Sequence, residues 1–212
     1  MSGDHPEHSL RPRIDGSHGL ILIVILALSI FFFSSGGMGP LWYLHLRLQY
    51  GINLTQYANI GVTWAIRSIV ANLILLPLLM KCLDDISLIF LSILTTAIAS
   101  ILWTVGHSYL YALLLGPLFA FYQPIEIILN SCISKLISEN EVGTALSFLA
   151  VLSKCIDFVA KPSYGFLYRA TLDVFPGTFL LVSTGCLGII FILMLCVHKG
   201  LAKRKLNQCN NM

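Results

Sequence analysis

Charge is scarce in this sequence. Of its 212 residues only 11% are Asp, Glu, Lys or Arg, whereas 57% are apolar, and the mean hydropathy is +0.83. A soluble domain keeps roughly a quarter of its residues charged. The composition therefore excludes a cytosolic enzyme, a nucleic-acid binder and a secreted disulfide scaffold. Paired cysteine spacing is also lacking. Cys82, Cys132, Cys155, Cys186, Cys196 and Cys209 form no CxxC, so they read as small apolar fillers, and neither metal nor cofactor is expected. Period-two alternation is absent as well, which removes a β-barrel.

What is present is a set of long apolar runs, at about 19–42, 56–80, 86–105, 109–134, 145–169 and 174–198. Each is close to the roughly 20 residues that a helix needs to cross a ~30 Å hydrocarbon core. Backbone groups in lipid must be satisfied within the segment, so these are helices. The expected class is an all-α, multi-span membrane protein with six transmembrane helices over 19–198. A tail at 1–18 and a basic tail at 199–212 flank them.

With both tails in the cytoplasm, Arg11, Arg13, Lys81, Lys135, Lys199, Lys203, Arg204 and Lys205 lie inside, and only Arg47 and Arg169 lie outside. This is the bias of the positive-inside rule. Trp42, Tyr43, Tyr50, Tyr57, Trp103, Tyr109, Tyr111 and Tyr168 then fall at the outer boundary, where interfacial aromatics belong. Asn53-Leu54-Thr55 is a glycosylation sequon in the first outer loop, with Asn53 the acceptor. His45 and His107 sit at the same boundary, either as pH sensors or as plain interfacial residues. Asp84-Asp85 reads as a solvated turn.

Ser34-Ser35-Gly36-Gly37 followed by Gly39-Pro40 is expected to weaken or break the first helix, where it offers either backbone groups to a ligand or close helix packing. Pro77, Pro117, Pro124 and Pro162 mark kinks in the second, fourth and fifth helices.

Five ionisable residues fall inside spans: Arg67, Glu126, Lys154, Asp157 and Lys161. Each costs about 2.5–3.5 kcal/mol at the bilayer centre, so none can face lipid. They occupy the second, fourth and fifth helices and leave the third and sixth apolar. That distribution describes two three-helix units, each with a lipid-facing third member. Lys154, Asp157 and Lys161 share one helix face at i, i+3 and i+7, extended by Ser147, Ala150, Tyr164 and Tyr168. Gln123, Glu126 and Asn130 form a second stripe, and Gln56, Asn59, Thr63 and Arg67 a third. Depth along the helices pairs Arg67 with Asp157 and Glu126 with Lys154, which leaves Lys161 to favour an anionic solute. Glu126 is the first proton-binding candidate, with Asp157 the second, because burial raises a carboxyl's pKa and an adjacent Lys154 opposes that shift. Buried pairs that merely hold helices together are the structural alternative. No histidine lies within a span, and no Ser/His, HExxH or paired-carboxylate arrangement occupies one helix face, so an enzyme is not expected.

The layout resembles one half of a major facilitator superfamily transporter. The inner loop Ile133-Ser134-Lys135-Leu136-Ile137-Ser138-Glu139-Asn140-Glu141-Val142-Gly143 is similar to the SKLxSxxExG turn of the proton-coupled folate transporter family, solute carrier family 46. Leu167-Tyr168-Arg169-Ala170-Thr171-Leu172 followed by Phe175-Pro176-Gly177 is similar to that family's outer loop before its last helix. The resemblance covers the second half of the chain by motif and the first half by layout. It implies the C-terminal half of a twelve-helix, proton-coupled carrier of organic anions such as folate-like or conjugated metabolites, in the plasma or lysosomal membrane. The family's DxxGRR-type loop has no counterpart here, and its basic residue in the tenth helix falls nearest Asn130. Three states fit: a fragment or short isoform, a half that pairs with a second half or a copy of itself, or an inactive remnant. The rival from another class is a non-transporting membrane partner that regulates a full-length carrier.

Overall fold

The computed structural model describes residues 17–105, 108–115, 122–137 and 139–210. Side chains of 17, 18, 105, 115, 122, 123, 139, 140 and 201–210 lie outside that description. The described chain is helical: α1 (Ser17–Met38), α2 (Leu41–Tyr50), α3 (Leu54–Val70), α4 (Leu76–Met80), α5 (Asp85–Val105), α6 (Tyr109–Leu115), α7 (Tyr122–Leu136), α8 (Glu139–Thr171) and α9 (Thr178–Asn210). Five stretches among the described residues are long and apolar enough to cross a membrane: Gly19–Met38, Leu54–Met80, Asp85–Thr104, Glu141–Thr171 and Thr178–Gly200. The fourth expected span is represented by α6 and α7, and the intervening 116–121, with Pro117, lies outside the described residues.

α1 is apolar on all sides and takes the central position, packed along α8 and α9 and against α7. α5 closes the group by packing on α9 and α7. Val24, Leu28 and Phe31 of α1 meet Leu88, Ile89 and Ile93 of α5, Ile125 and Leu129 of α7, and Leu187 and Ile190 of α9 in one core. The two greasy helices thus supply core as well as lipid surface. α5 exposes Leu94, Ile98 and Ile101, and α9 exposes Ile189 and Ile192, on their outer sides. The charged helices α3 and α8 are the least buried spans, so they flank the bundle instead of being enclosed by it. Apolar helices interdigitate without polar penalty, whereas a charged stripe has no complementary surface in that core.

The expected breaks resolve differently. Ser34–Gly37 stays helical, and the chain turns only at Gly39–Pro40, so the first span is shorter than 19–42. Pro77 is preceded by a π turn at Ala71–Leu75, in which the Leu76 amide donates to the Ala71 carbonyl. A proline lacks the amide that a regular helix would use there, and widening the register absorbs the defect. Pro124 lies in the first turn of α7, where no amide is needed, and Pro162 sits within an unbroken α8.

A second core gathers the predicted boundary aromatics. Trp42 packs edge-on against Trp64 (5.2 Å between centroids), Trp103 (5.1 Å) and Phe179 (6.1 Å). Tyr50, Tyr168, Tyr109 and Tyr111 complete the cluster. The carbonyls at the end of α5 need partners that its own helix cannot supply. Tyr111 Oη donates to Leu102 (2.9 Å), Tyr50 Oη to Trp103 (2.9 Å) and Gln49 Nε2 to Thr104 (3.2 Å).

Candidate functional site

The densest charge in the described bundle lies on α8. Lys154 Nζ stands 3.9 Å from Asp157 Oδ2, one turn along the helix. Lys161 is exposed one turn further on. These three, with Phe158 and Pro162, line an open groove of about 520 Å³. It adjoins a second groove of about 650 Å³ between Ala150, Val151, Lys154, Cys155 and Phe158. Phe158, which is 83% exposed, and Lys154 line both grooves. Pro162 has no amide to offer the Phe158 carbonyl, so that oxygen is released from the helix ladder beside the lysines.

The stripe is split. Lys154 and Asp157 lie about 60° apart around the helix. Asp157 and Tyr164 occupy the edge that turns toward α1, while Lys154 and Lys161 turn away. Gly36 and Gly37 make this approach possible. A Cβ added at Gly36 would overlap the Asp157 carboxylate, with Asp157 Cγ at 3.1 Å and its Cα at 3.4 Å, and one at Gly37 would enter the Tyr164 ring. The Ser-Gly-Gly segment is therefore a close-packing seat. Tyr164 is buried rather than groove-facing, with its hydroxyl 2.9 Å from Ser183 Oγ on α9. Tyr168 is buried as well.

Glu126 on α7 is half-buried and lies in the electrostatic field of both Lys154 and Asp157. Depth pairs Arg67 with Asp157 and Glu126 with Lys154, but the ion pair seen on α8 joins Lys154 to Asp157. Asn130 is half-buried one turn from Glu126. Gln123 carries no side-chain description. Arg67 occupies a separate neighbourhood on α3, with its guanidinium 5.9 Å from the Trp64 ring centroid. α3 and α8 do not pack extensively on each other.

Asn53 is the N-cap of α3. Its Oδ1 accepts from the Gln56 amide (2.9 Å), and Gln56 Oε1 accepts from the Asn53 amide (3.0 Å). Asp85 corrects the reading of a solvated turn, because it pairs with Lys135 at the end of α7. Fifty residues separate the two, and no local spacing announces the contact. Among the described residues, no group of three His, Cys, Asp or Glu side chains is placed to hold a metal. His45 is completely buried, and its pKa is lowered to about 4, by desolvation first, with the Pro176 carbonyl opposing.

No family model matches the chain. It is similar to the lysosomal proton-coupled steroid conjugate and bile acid symporter SLC46A3 of Mus musculus, with 27% identity over 182 residues, 84% of this chain and 39% of the relative. The Homo sapiens protein of the same name is 24% identical over 181 residues, 85% of this chain and 39% of its own length. The chain thus spans about two fifths of the curated relatives it matches. These likenesses support solute carrier family 46. The relatives are named for steroid conjugates and bile acids, so the folate-like reading of the resemblance is not supported. They are symporters, not enzymes.

Proposed function

We propose that this chain is the six-helix C-terminal half of a proton-coupled carrier of amphipathic organic anions, built as two three-helix repeats of a major facilitator fold. In this reading both termini are cytoplasmic, the membrane is lysosomal or plasma membrane, and a second six-helix half or another copy of the chain completes the translocation path. The observation that carries it is the α8 face. Lys154 and Lys161 point away from the packed core beside the apolar groove at Phe158, and Asp157 stands at the edge between Lys154 and α1. Lipid does not solvate two lysines and a carboxylate at that depth. Water and a facing half do.

The division of labour follows from charge. Asp157 engages Lys154, so Lys161 is the cation left to attract the solute's acid group, and the neighbouring groove receives its apolar body. Glu126 and Asp157 carry the coupled proton: neutralising either carboxyl leaves Lys154 freer to bind an anion, so proton and anion favour each other. Arg67 on α3 and Gln123 and Asn130 on α7 are the further candidate solute contacts, to be completed by the facing half. Asn53 remains the candidate glycan acceptor.

The test is uptake of a radiolabelled steroid sulfate into proteoliposomes with an imposed pH gradient, using this chain alone and co-reconstituted with the first half of the mouse relative. Gradient-driven uptake that Lys161→Gln abolishes and Glu126→Gln uncouples from pH is the expected result. Flux at background in both preparations would overturn the reading.

A further inference from the structure

We propose that His45 is a proton-operated latch on the aromatic end of the bundle: neutral, it seals the tryptophan cluster, and protonated, it drives that cluster open. This adds a proton site to the one on α7 and α8. Its place in a transport cycle rests on the carrier reading, but its structural consequence does not.

The geometry is that of a latch. α2 is a ten-residue helix set between two joints, the Gly39–Pro40 turn and Gly51, whose φ of +64° caps the helix in the left-handed region. α2 carries Trp42, His45 and Tyr50 into the second core. The His45 ring is edge-on to Phe179 of α9 at 5.1 Å and to Tyr50 at 6.3 Å. Phe179 in turn contacts Trp42 and, at 5.8 Å, Tyr168. Among the described residues neither imidazole nitrogen has a hydrogen-bond partner. The Pro176 carbonyl faces the ring without reaching hydrogen-bond geometry. The titratable groups around it are phenols: Tyr50 on its own helix, Tyr111 of α6 acting on Tyr50, and Tyr168 of α8 behind Phe179. From α9 the apolar Phe179 ring meets His45. No carboxylate among the described residues is among the influences on the ring.

A buried imidazole without partners tolerates neutrality and resists charge. The closed state holds it at about 4 against an ordinary 6.5. Any opening that wets the ring restores the ordinary value, so protons bind the open state more strongly. Linkage then gives an opening equilibrium about 25-fold more favourable at pH 5 than at pH 7.5.

All three tryptophans of the sequence, Trp42, Trp64 and Trp103, belong to this cluster. Iodide quenching of intrinsic fluorescence therefore reads its opening directly. The experiment uses the full chain in lipid nanodiscs, titrated from pH 7.5 to pH 5. Quenching is expected to rise as pH falls below about 6.5 in the natural sequence and to stay flat in His45→Phe, which keeps an aromatic ring without a titrating nitrogen. Should His45→Phe lose its helical circular dichroism, His45→Gln supplies the same comparison. His107→Gln and Glu126→Gln are expected to retain the rise. A flat profile in the natural sequence, or an unchanged rise in the folded His45 variant, would overturn the latch. A retained, His45-dependent rise in protein that moves no solute supports the latch and counts against the carrier reading alone.

Discussion

Gly36 of α1 and Asp157 of α8 meet so closely that no side chain fits between them. That contact seats the carboxylate beside the central helix and leaves Lys154 and Lys161 outward. Gly36→Ala must push α8 away or turn the carboxylate aside. Overpacking of this kind costs typically 1–3 kcal/mol. Thermal unfolding in detergent should show the loss, and Asp157→Ala in the same chain should recover much of it. Equal losses with and without Asp157 would show that the two residues do not share a seat.

Tyr164 and Ser183 join α8 to α9 through buried hydroxyls 2.9 Å apart. Ser183 also donates to the Phe179 carbonyl at 3.0 Å, so Tyr164→Phe leaves it partnered. The expected loss is small, about 0.5–1.5 kcal/mol. Tyr164→Ala removes the ring packed on Gly37 as well and should cost about 3–5 kcal/mol. Denaturation of the two variants side by side separates hydroxyl from ring.

Lys135 and Asp85 link the end of α7 to the start of α5. The lysine is largely exposed, so the pair is screened, and each single alanine variant should lose less than about 1 kcal/mol. A double-mutant cycle repeated at low and high salt should show a coupling that shrinks as salt rises. Coupling that ignores salt would assign the contact to packing.

His45 makes stability depend on pH. Its folded pKa, about 4, lies below the ordinary 6.5, so the unfolded chain binds its proton first as pH falls. The stability it contributes is fully present above about pH 6.5 and declines between there and pH 4, by up to about 3 kcal/mol. Chemical denaturation at pH 7.5 and pH 4.5 should record that decline, and His45→Phe should remove most of it. A decline of the same size in the variant would locate the titrating group elsewhere.

Hydropathy and length fix what any environment demands of this chain: helices, their approximate bounds, and which of them carry charge. The i, i+3, i+7 spacing of Lys154, Asp157 and Lys161 likewise follows from helical period alone. Packing decided the rest, because it depends on how surfaces distant in sequence fit. Ser34–Gly37 looked like a break, yet its missing side chains are what admit Asp157 and Tyr164. Asp85 looked solvated until α7 brought Lys135 to it. His45 looked interfacial, and only the folding of α2 onto α9 enclosed it. Sequence determined which residues must avoid lipid; tertiary structure decided what each one met instead, since a contact partner is set by shape and three-dimensional neighbourhood, which no local period encodes.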